Sequence, residues 1–327
     1  MSQFLRSLNH GARVKKKGRG GAASPDPSIP RGKRVGRAVW GAVVLGAVLA
    51  VSGPGWGADP LAWSKVTQPT AGPARVIGGA AQGCVQGAVT VAVPGRDDLV
   101  VLRPQRNRIW GHPALAAFLA DLTAWRRATG DGPVLLGDAG QPRGGPMPGG
   151  HQSHMNGLDA DLWFAGDRGP PWSAAWRQAP KARSALTPDG QRVDHRVFTP
   201  AVERLIMHMA ADPRVERLFV HPRLKEALCR SQASRPGMTA VLGRVRPWWG
   251  HDSHVHVRLT CPADSPDCRP GKPVPQGDGC DAETLAPWLG RAKTEAELVA
   301  SSKPSSRTLP EACFRVLGGE TNTLLAE

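Results

Sequence analysis

Apolar residues recur at helical spacing between Pro113 and Thr129, where Leu115, Phe118, Leu119, Leu122 and Trp125 share one face. Pro113 suits a first turn and Gly130 stops the run, so the pattern predicts a helix over 113–129. A second helix opens at Thr199 and Pro200 and carries Val202, Leu205, Ile206 and Met209. A shorter one covers Pro222 to Cys229. Short apolar runs predict strands at Val134–Leu136, Leu158–Phe164 and Arg217–Val220. From His254 to Leu259 the alternation is strict. It puts His254, His256 and Arg258 on one face and Val255, Val257 and Leu259 on the other. A Gly/Pro-rich loop fills 140–150. Helices and strands without a regular βαβ repeat point to an α+β domain.

The N-terminal part reads differently. Residues 1–37 hold ten Lys or Arg and one Asp, so much of the formal net charge of +15 lies in a basic, disordered leader. Ala38 to Val51 follow, fourteen uncharged and mostly apolar residues behind Arg31, Lys33, Arg34 and Arg37. Charged and apolar regions in this order are those of an export signal. Residues 38–58 are therefore expected to be a cleaved signal peptide or a membrane anchor. Both readings place the domain outside the cytoplasm. Residues 59–75 read as a linker, 76–318 as the domain and 319–327 as a loose tail. A mildly basic domain favours an acidic polymer such as peptidoglycan or teichoic acid; nucleic acid is disfavoured because the basic run precedes an export segment.

Six cysteines agree with export: Cys84, Cys229, Cys261, Cys268, Cys280 and Cys313. They lack the close pairs of a zinc ribbon, so disulfides in an oxidising compartment are expected. Their spacing leaves fifteen pairings open.

The chemistry is concentrated in two histidine-rich segments. GGHQSHMNGLDADLW holds His151, His154, Asp159 and Asp161. WWGHDSHVHVRL holds His251, His254 and His256. Two imidazoles on one strand face can serve one site, one binding a metal while the other reaches its water. A turn at Asn156 and Gly157 lets His154 and Asp161 converge. Two His and one carboxylate with an open position is a frequent catalytic zinc arrangement. Asp159 is expected to cap a turn or orient a ligand rather than to bind the metal directly, with a second metal as the other reading. His151 is open between an outer partner, a substrate contact and a ligand of a second metal. Trp248 and Trp249 read as packing or cleft-wall residues that can meet substrate, and Arg143 and Arg258 as possible partners of substrate carboxylates. His112 is equally readable as structural, and His208 as a filler on an apolar helix. His10, His195 and His221 have no motif around them. The chain lacks H-E-x-x-H, S-x-x-K, G-x-S-x-G and a Walker loop, which excludes thermolysin-type, serine-acylating and P-loop chemistry.

The two histidine segments, together with GGAAQGCVQGAV, RNRIWGHPAL, FVHPRLKEALC and the GDGC ending at Cys280, resemble the penicillin-insensitive murein endopeptidases. These belong to the wider group of lysostaphin-type and D-Ala-D-Ala zinc peptidases. The resemblance implies a single disulfide-stapled α+β domain with a small, mainly antiparallel sheet flanked by helices and zinc in a surface cleft. It implies His154, Asp161 and His256 as zinc ligands, and His254 and His251 as catalytic histidines. It also implies the pairs Cys84–Cys313, Cys229–Cys280 and Cys261–Cys268. The expected reaction is hydrolysis of D-Ala–diaminopimelate cross-links in the periplasm by a metal-activated water, insensitive to β-lactams. His254 would act as base and His251 as oxyanion stabiliser. The competing readings are a zinc carboxypeptidase that trims terminal D-Ala and a wall-binding module without activity.

Overall fold

The computed structural model describes residues 59–92, 98–149, 151–167, 169–290, 297 and 308–320. The leader, the apolar segment 38–58 and residues 321–327 lie outside them. Among the described residues no helix is long and apolar enough to cross a membrane.

A six-stranded sheet organises the chain. Its strands are β4 (Leu99–Val101), β6 (Val134–Asp138), β7 (Asp159–Trp163), β10 (His254–Leu259), β8 (Val215–Val220) and β9 (Val245–Pro247), in that spatial order. The three inner pairings are antiparallel and the two outermost are parallel. The sheet is thus mainly antiparallel, as expected, with parallel edges that single-strand alternation does not reveal. Two small hairpin-like sheets stand beside it, β1 (Arg75–Gly79) with β2 (Gln82–Gln86) and β3 (Val89–Thr90) with β5 (Trp110–Gly111).

The helices explain which face of the sheet is free. α2 (Pro113–Thr129), α4 (Pro200–Ala211), α5 (Pro222–Gln232) and α6 (Met238–Arg244) contribute Leu115, Phe118, Ile206, Met209, Leu224 and Leu242 to one core. That core also contains Val255 and Val257 of β10 and Ala160 and Leu162 of β7. Each of the Leu, Ile, Val, Phe and Met side chains, once buried, contributes about 1.5–3 kcal/mol. The period-2 alternation then forces His254, His256, Asp159 and Asp161 onto the opposite face. Gly130 closes α2 in the left-handed conformation, φ 70°, its N–H bonding the carbonyls of Arg126 and Arg127. At the start of α4 the Thr199 side chain accepts from the Val202 N–H. Thr199→Ala is expected to cost about 1 kcal/mol. It should lower the melting temperature by about 2–4 °C without changing activity, and calorimetry beside an activity assay checks both.

The stretch 59–75 is not the plain linker expected. It contains α1 (Pro60–Ser64), and Trp63 is fully buried in a second core with Ile77, Cys84, Met155, Leu309, Cys313 and Val316. Gly145 makes room for it: a Cβ there would lie 2.1 Å from the Trp63 ring. A lone Trp in a Pro/Thr/Ala-rich stretch has no periodicity to announce it, which is why the pattern missed it. The polar region before Cys313 likewise ends in a helix, α8 (Glu311–Gly318), capped by Gly319 with φ 94°. Two further short helices are α3 (Ala174–Gln178) and α7 (Ala282–Leu289). The disulfides are Cys84–Cys313, Cys229–Cys280 and Cys261–Cys268, the pairs the resemblance implied.

Candidate metal centre

Strand register assembles the site. Asp138 of β6 stands opposite Asp161 of β7, Asp161 opposite His256 of β10, and His256 opposite Phe219 of β8. One step along, Trp163 pairs with His254; one step back, Asp159 pairs with Arg258. Directly opposed residues share a face with Cβ atoms about 4.5–5.5 Å apart. A register shift between Leu136 and Asp138 brings Asp138 into the row, the usual effect of a bulge beside a site.

The loop before β7 adds two imidazoles. His154 has φ 66°, rare for a side-chain-bearing residue. Its N–H bonds Asp159 Oδ2 at 3.1 Å. Met155, next in the chain, donates to the carbonyl of Ala80 on the β1–β2 turn. The result is convergence on one oxygen. Asp161 Oδ1 lies 3.3 Å from His154 Nε2, 3.0 Å from His256 Nδ1 and 3.7 Å from His254 Nε2. The other oxygen, Oδ2, lies 3.8 Å from His151 Nδ1. One ligand atom from each of His151, His154 and Asp161 fits within 4.8 Å of the other two. His154 Nδ1 and Nε2 and Asp161 Oδ1 are buried without a hydrogen bond of good geometry. Such atoms cost about 1–3 kcal/mol each when left unsatisfied, so the donor set fits a bound cation.

Electrostatics point the same way. Burial opposes ionisation of Asp161, but His154 and His254 outweigh it and hold its pKa well below the carboxylate range. Burial likewise opposes ionisation of Asp159, yet Arg258 and His256 keep it charged. Burial works against protonation of His256, but Asp159 and Asp161 raise its pKa to about 9. The two carboxylates therefore create a locus that attracts positive charge. His254 and His251, by contrast, are kept neutral chiefly by burial.

Around this centre the predicted residues take distinct places. Asp159 also faces His256 Nε2 at 3.2 Å. Arg258 grips Asp159 with two hydrogen bonds of 2.9 Å and lies over the Phe219 ring. It braces the carboxylate that orients two histidines. The Arg143 guanidinium bonds the carbonyls of Val316 and Leu317 at the end of α8, and that of Gln68. His251 is fixed at both ends. The Trp249 carbonyl lies 3.0 Å from its Nδ1, and its own carbonyl accepts from the His221 N–H. A carbonyl only accepts, so Nδ1 carries the proton and Nε2 is left as an acceptor. Trp248 is half exposed and meets Phe219 edge-to-face and Trp288 at a tilt; Trp249 packs on His221 and Trp288. His112 caps α2, His208 stacks on Trp125 at 3.9 Å, His195 is exposed, and His10 lies outside the described residues.

Sequence reasoning missed Asp138, which meets His151 Nε2 at 3.2 Å, and the arginines around it. The signals were an acid at the end of a buried strand and the three arginines of RPQRNR. It also missed Phe219, visible only through register.

A disulfide-bonded α+β domain whose two His-rich segments meet over buried carboxylates defines a metallopeptidase-type hydrolase. The family described as penicillin-insensitive murein endopeptidase matches residues 76–318. A penicillin-insensitive murein endopeptidase of Yersinia enterocolitica is 38% identical over 271 residues, 83% of this chain and 94% of that protein. One of Escherichia coli is 37% identical over 279 residues, 84% of this chain and 97% of that protein. The chain belongs to the penicillin-insensitive murein endopeptidase family and is a peptidase.

Proposed function

We propose that this protein is a zinc-dependent endopeptidase of the periplasm that hydrolyses D-Ala–diaminopimelate cross-links between peptidoglycan stem peptides. The observation that carries it is the convergence of three imidazole nitrogens on Asp161 Oδ1. His154, Asp161 and His256 would hold the ion, a His/His/carboxylate set that suits zinc. His151 is the weaker ligand candidate, because its Nε2 faces Asp138 and its Nδ1 approaches only Oδ2. Bound there, zinc would polarise the scissile carbonyl and lower the pKa of water to about 7.

The chain's own residues supply the proton handling. Neutral His254 faces the same carboxylate oxygen and can take the proton of the attacking water, then return it to the leaving amine. His251, with Nδ1–H held by Trp249, presents Nε2 as an acceptor. It suits holding the water or a substrate N–H, a different role from oxyanion stabilisation. Asp159, braced by Arg258, keeps His154 and His256 in place.

Purified protein incubated with sacculi should convert cross-linked muropeptide dimers to monomers, read by chromatography. A chelator should stop the reaction, zinc should restore it, and penicillin should have no effect because no serine is acylated. Release of free D-Ala with dimers intact would establish a carboxypeptidase instead. Binding to sacculi without any product would leave a wall-binding module.

A further inference from the structure

Beside the metal centre lies an arrangement of charge that the hydrolytic machinery does not use. Arg103 Nη2 and Arg106 Nη1 each lie 3.0 Å from Asp138 Oδ2, and Arg108 Nη1 lies 3.6 Å from it. His151 Nε2 approaches the same oxygen. Three guanidiniums thus share one carboxylate, leaving two positive charges without a counter-charge in the cluster. Arg108 is 7% exposed, and its Nη1 has no hydrogen-bond partner; nor has the buried Nε of Arg103. Cations gathered so closely repel one another, and donors buried without partners are costly.

The three arginines have different duties. Arg108 is anchored, with Nη2 on the carbonyl of Pro148 in the loop that leads to His151. Arg103 and Arg106 keep about a quarter of their side chains exposed, 27% and 26%. Arg103 precedes and Arg106 ends a single 3₁₀ turn, Pro104–Arg106, held between two left-handed residues, Arg103 with φ 53° and Asn107 with φ 51°. Non-glycine residues adopt that conformation at a cost and persist in it where surrounding structure demands it. The Arg103 guanidinium also lies 5.1 Å above the Trp163 ring, which restricts its plane.

The position is specific. Asp138 is in register with Asp161, so the arginines sit at one end of the row that continues through Asp161 and His256 to Phe219. His151 spans the gap, with Nδ1 toward Asp161 and Nε2 toward Asp138. The excess positive charge therefore begins one imidazole away from the metal centre.

We propose that Arg103 and Arg106 form a subsite for a substrate carboxylate, the one borne by the residue that supplies the nitrogen of the scissile bond. The proposal rests on the endopeptidase reading above. In a D-Ala–diaminopimelate link that nitrogen is attached to a carbon carrying a free carboxylate, so an anion lies two bonds from the leaving amine. Guanidiniums match carboxylates in charge and in paired N–H geometry. Two of them, preset on Asp138, orient the link across the metal centre and select links that carry this anion.

Two cross-linked muropeptide dimers test it, identical except that this carboxylate is free in one and amidated in the other. The wild type should cleave the free form at a kcat/KM about ten- to a hundred-fold higher, the range of a charge-assisted hydrogen bond. Arg106→Gln and Arg103→Gln should each shrink that ratio strongly, and Arg106→Lys should recover part of it. The ratio is internal to each variant, so a general loss of activity or partial misfolding does not move it. A wild-type ratio near one, or an unchanged ratio in both Gln variants, overturns the proposal. Failure of the wild type to cut either dimer overturns the endopeptidase reading together with it.

Discussion

Asp161→Ala is expected to lose both its metal and its activity, with a fall in kcat/KM beyond the roughly 100-fold that loss of an outer partner costs in metal sites. The carboxylate is the common point of the site. His154, His256 and His254 each turn a nitrogen toward Oδ1, within 3.3, 3.0 and 3.7 Å. Without it, neighbouring imidazoles face one another with no negative charge to hold a cation between them. The fold should survive, because Ala160 and Leu162 on the other face of β7 keep their places in the core. Metal content by emission spectroscopy, a melting curve and muropeptide cleavage together separate these effects. His256→Ala should behave like Asp161→Ala. His151→Ala should retain metal, since that imidazole also has Asp138 as a partner. A folded Asp161→Ala protein that holds one equivalent of metal and cleaves dimers would remove the carboxylate from the site.

Much of this geometry was legible from residue order, for a definite physical reason. The alternation in HVHVRL commits Val255 and Val257 to the core, so His254, His256 and Arg258 have only one face left. The turn at Asn156 and Gly157 brings His154 back over Asp161, and Gly157 has φ 77°. Helix α2 was readable to its ends because Pro113 and Gly130 mark both. Partners set by register were not readable. No local pattern says that β6 lies beside β7, so Asp138 reads as the polar end of a buried strand. The acceptors of Arg143 and Arg258 were hidden for the same reason: a basic side chain near a histidine motif looks available until its acceptors are known. Trp63 and α8 escaped because each is buried by the other end of the chain.

That junction of the two chain ends supplies the second large effect. Replacing Cys84 and Cys313 together by Ser should destabilise the protein more than removing either other disulfide. The cysteines of the three pairs are 229, 51 and 7 residues apart. Loop-closure entropy then assigns about 5, 4 and 2 kcal/mol respectively to the pairs. Differential scanning calorimetry of the three double-Ser variants gives the order directly, and the largest loss falling on Cys261–Cys268 would sink the argument. The first bond matters to the site as well as to the chain. Cys84 lies in β2, whose neighbour Val85 donates to the Arg143 carbonyl, while Ala80 on the same hairpin receives the Met155 N–H. Met155 follows His154. On its outer side the hairpin is held by α8, through Cys313 and through Val316 in the core around Trp63. A reduced protein should therefore lose activity on warming before the main sheet unfolds. Loosening of α8 releases the hairpin, and the hairpin fixes the left-handed turn that aims His154 at Asp161.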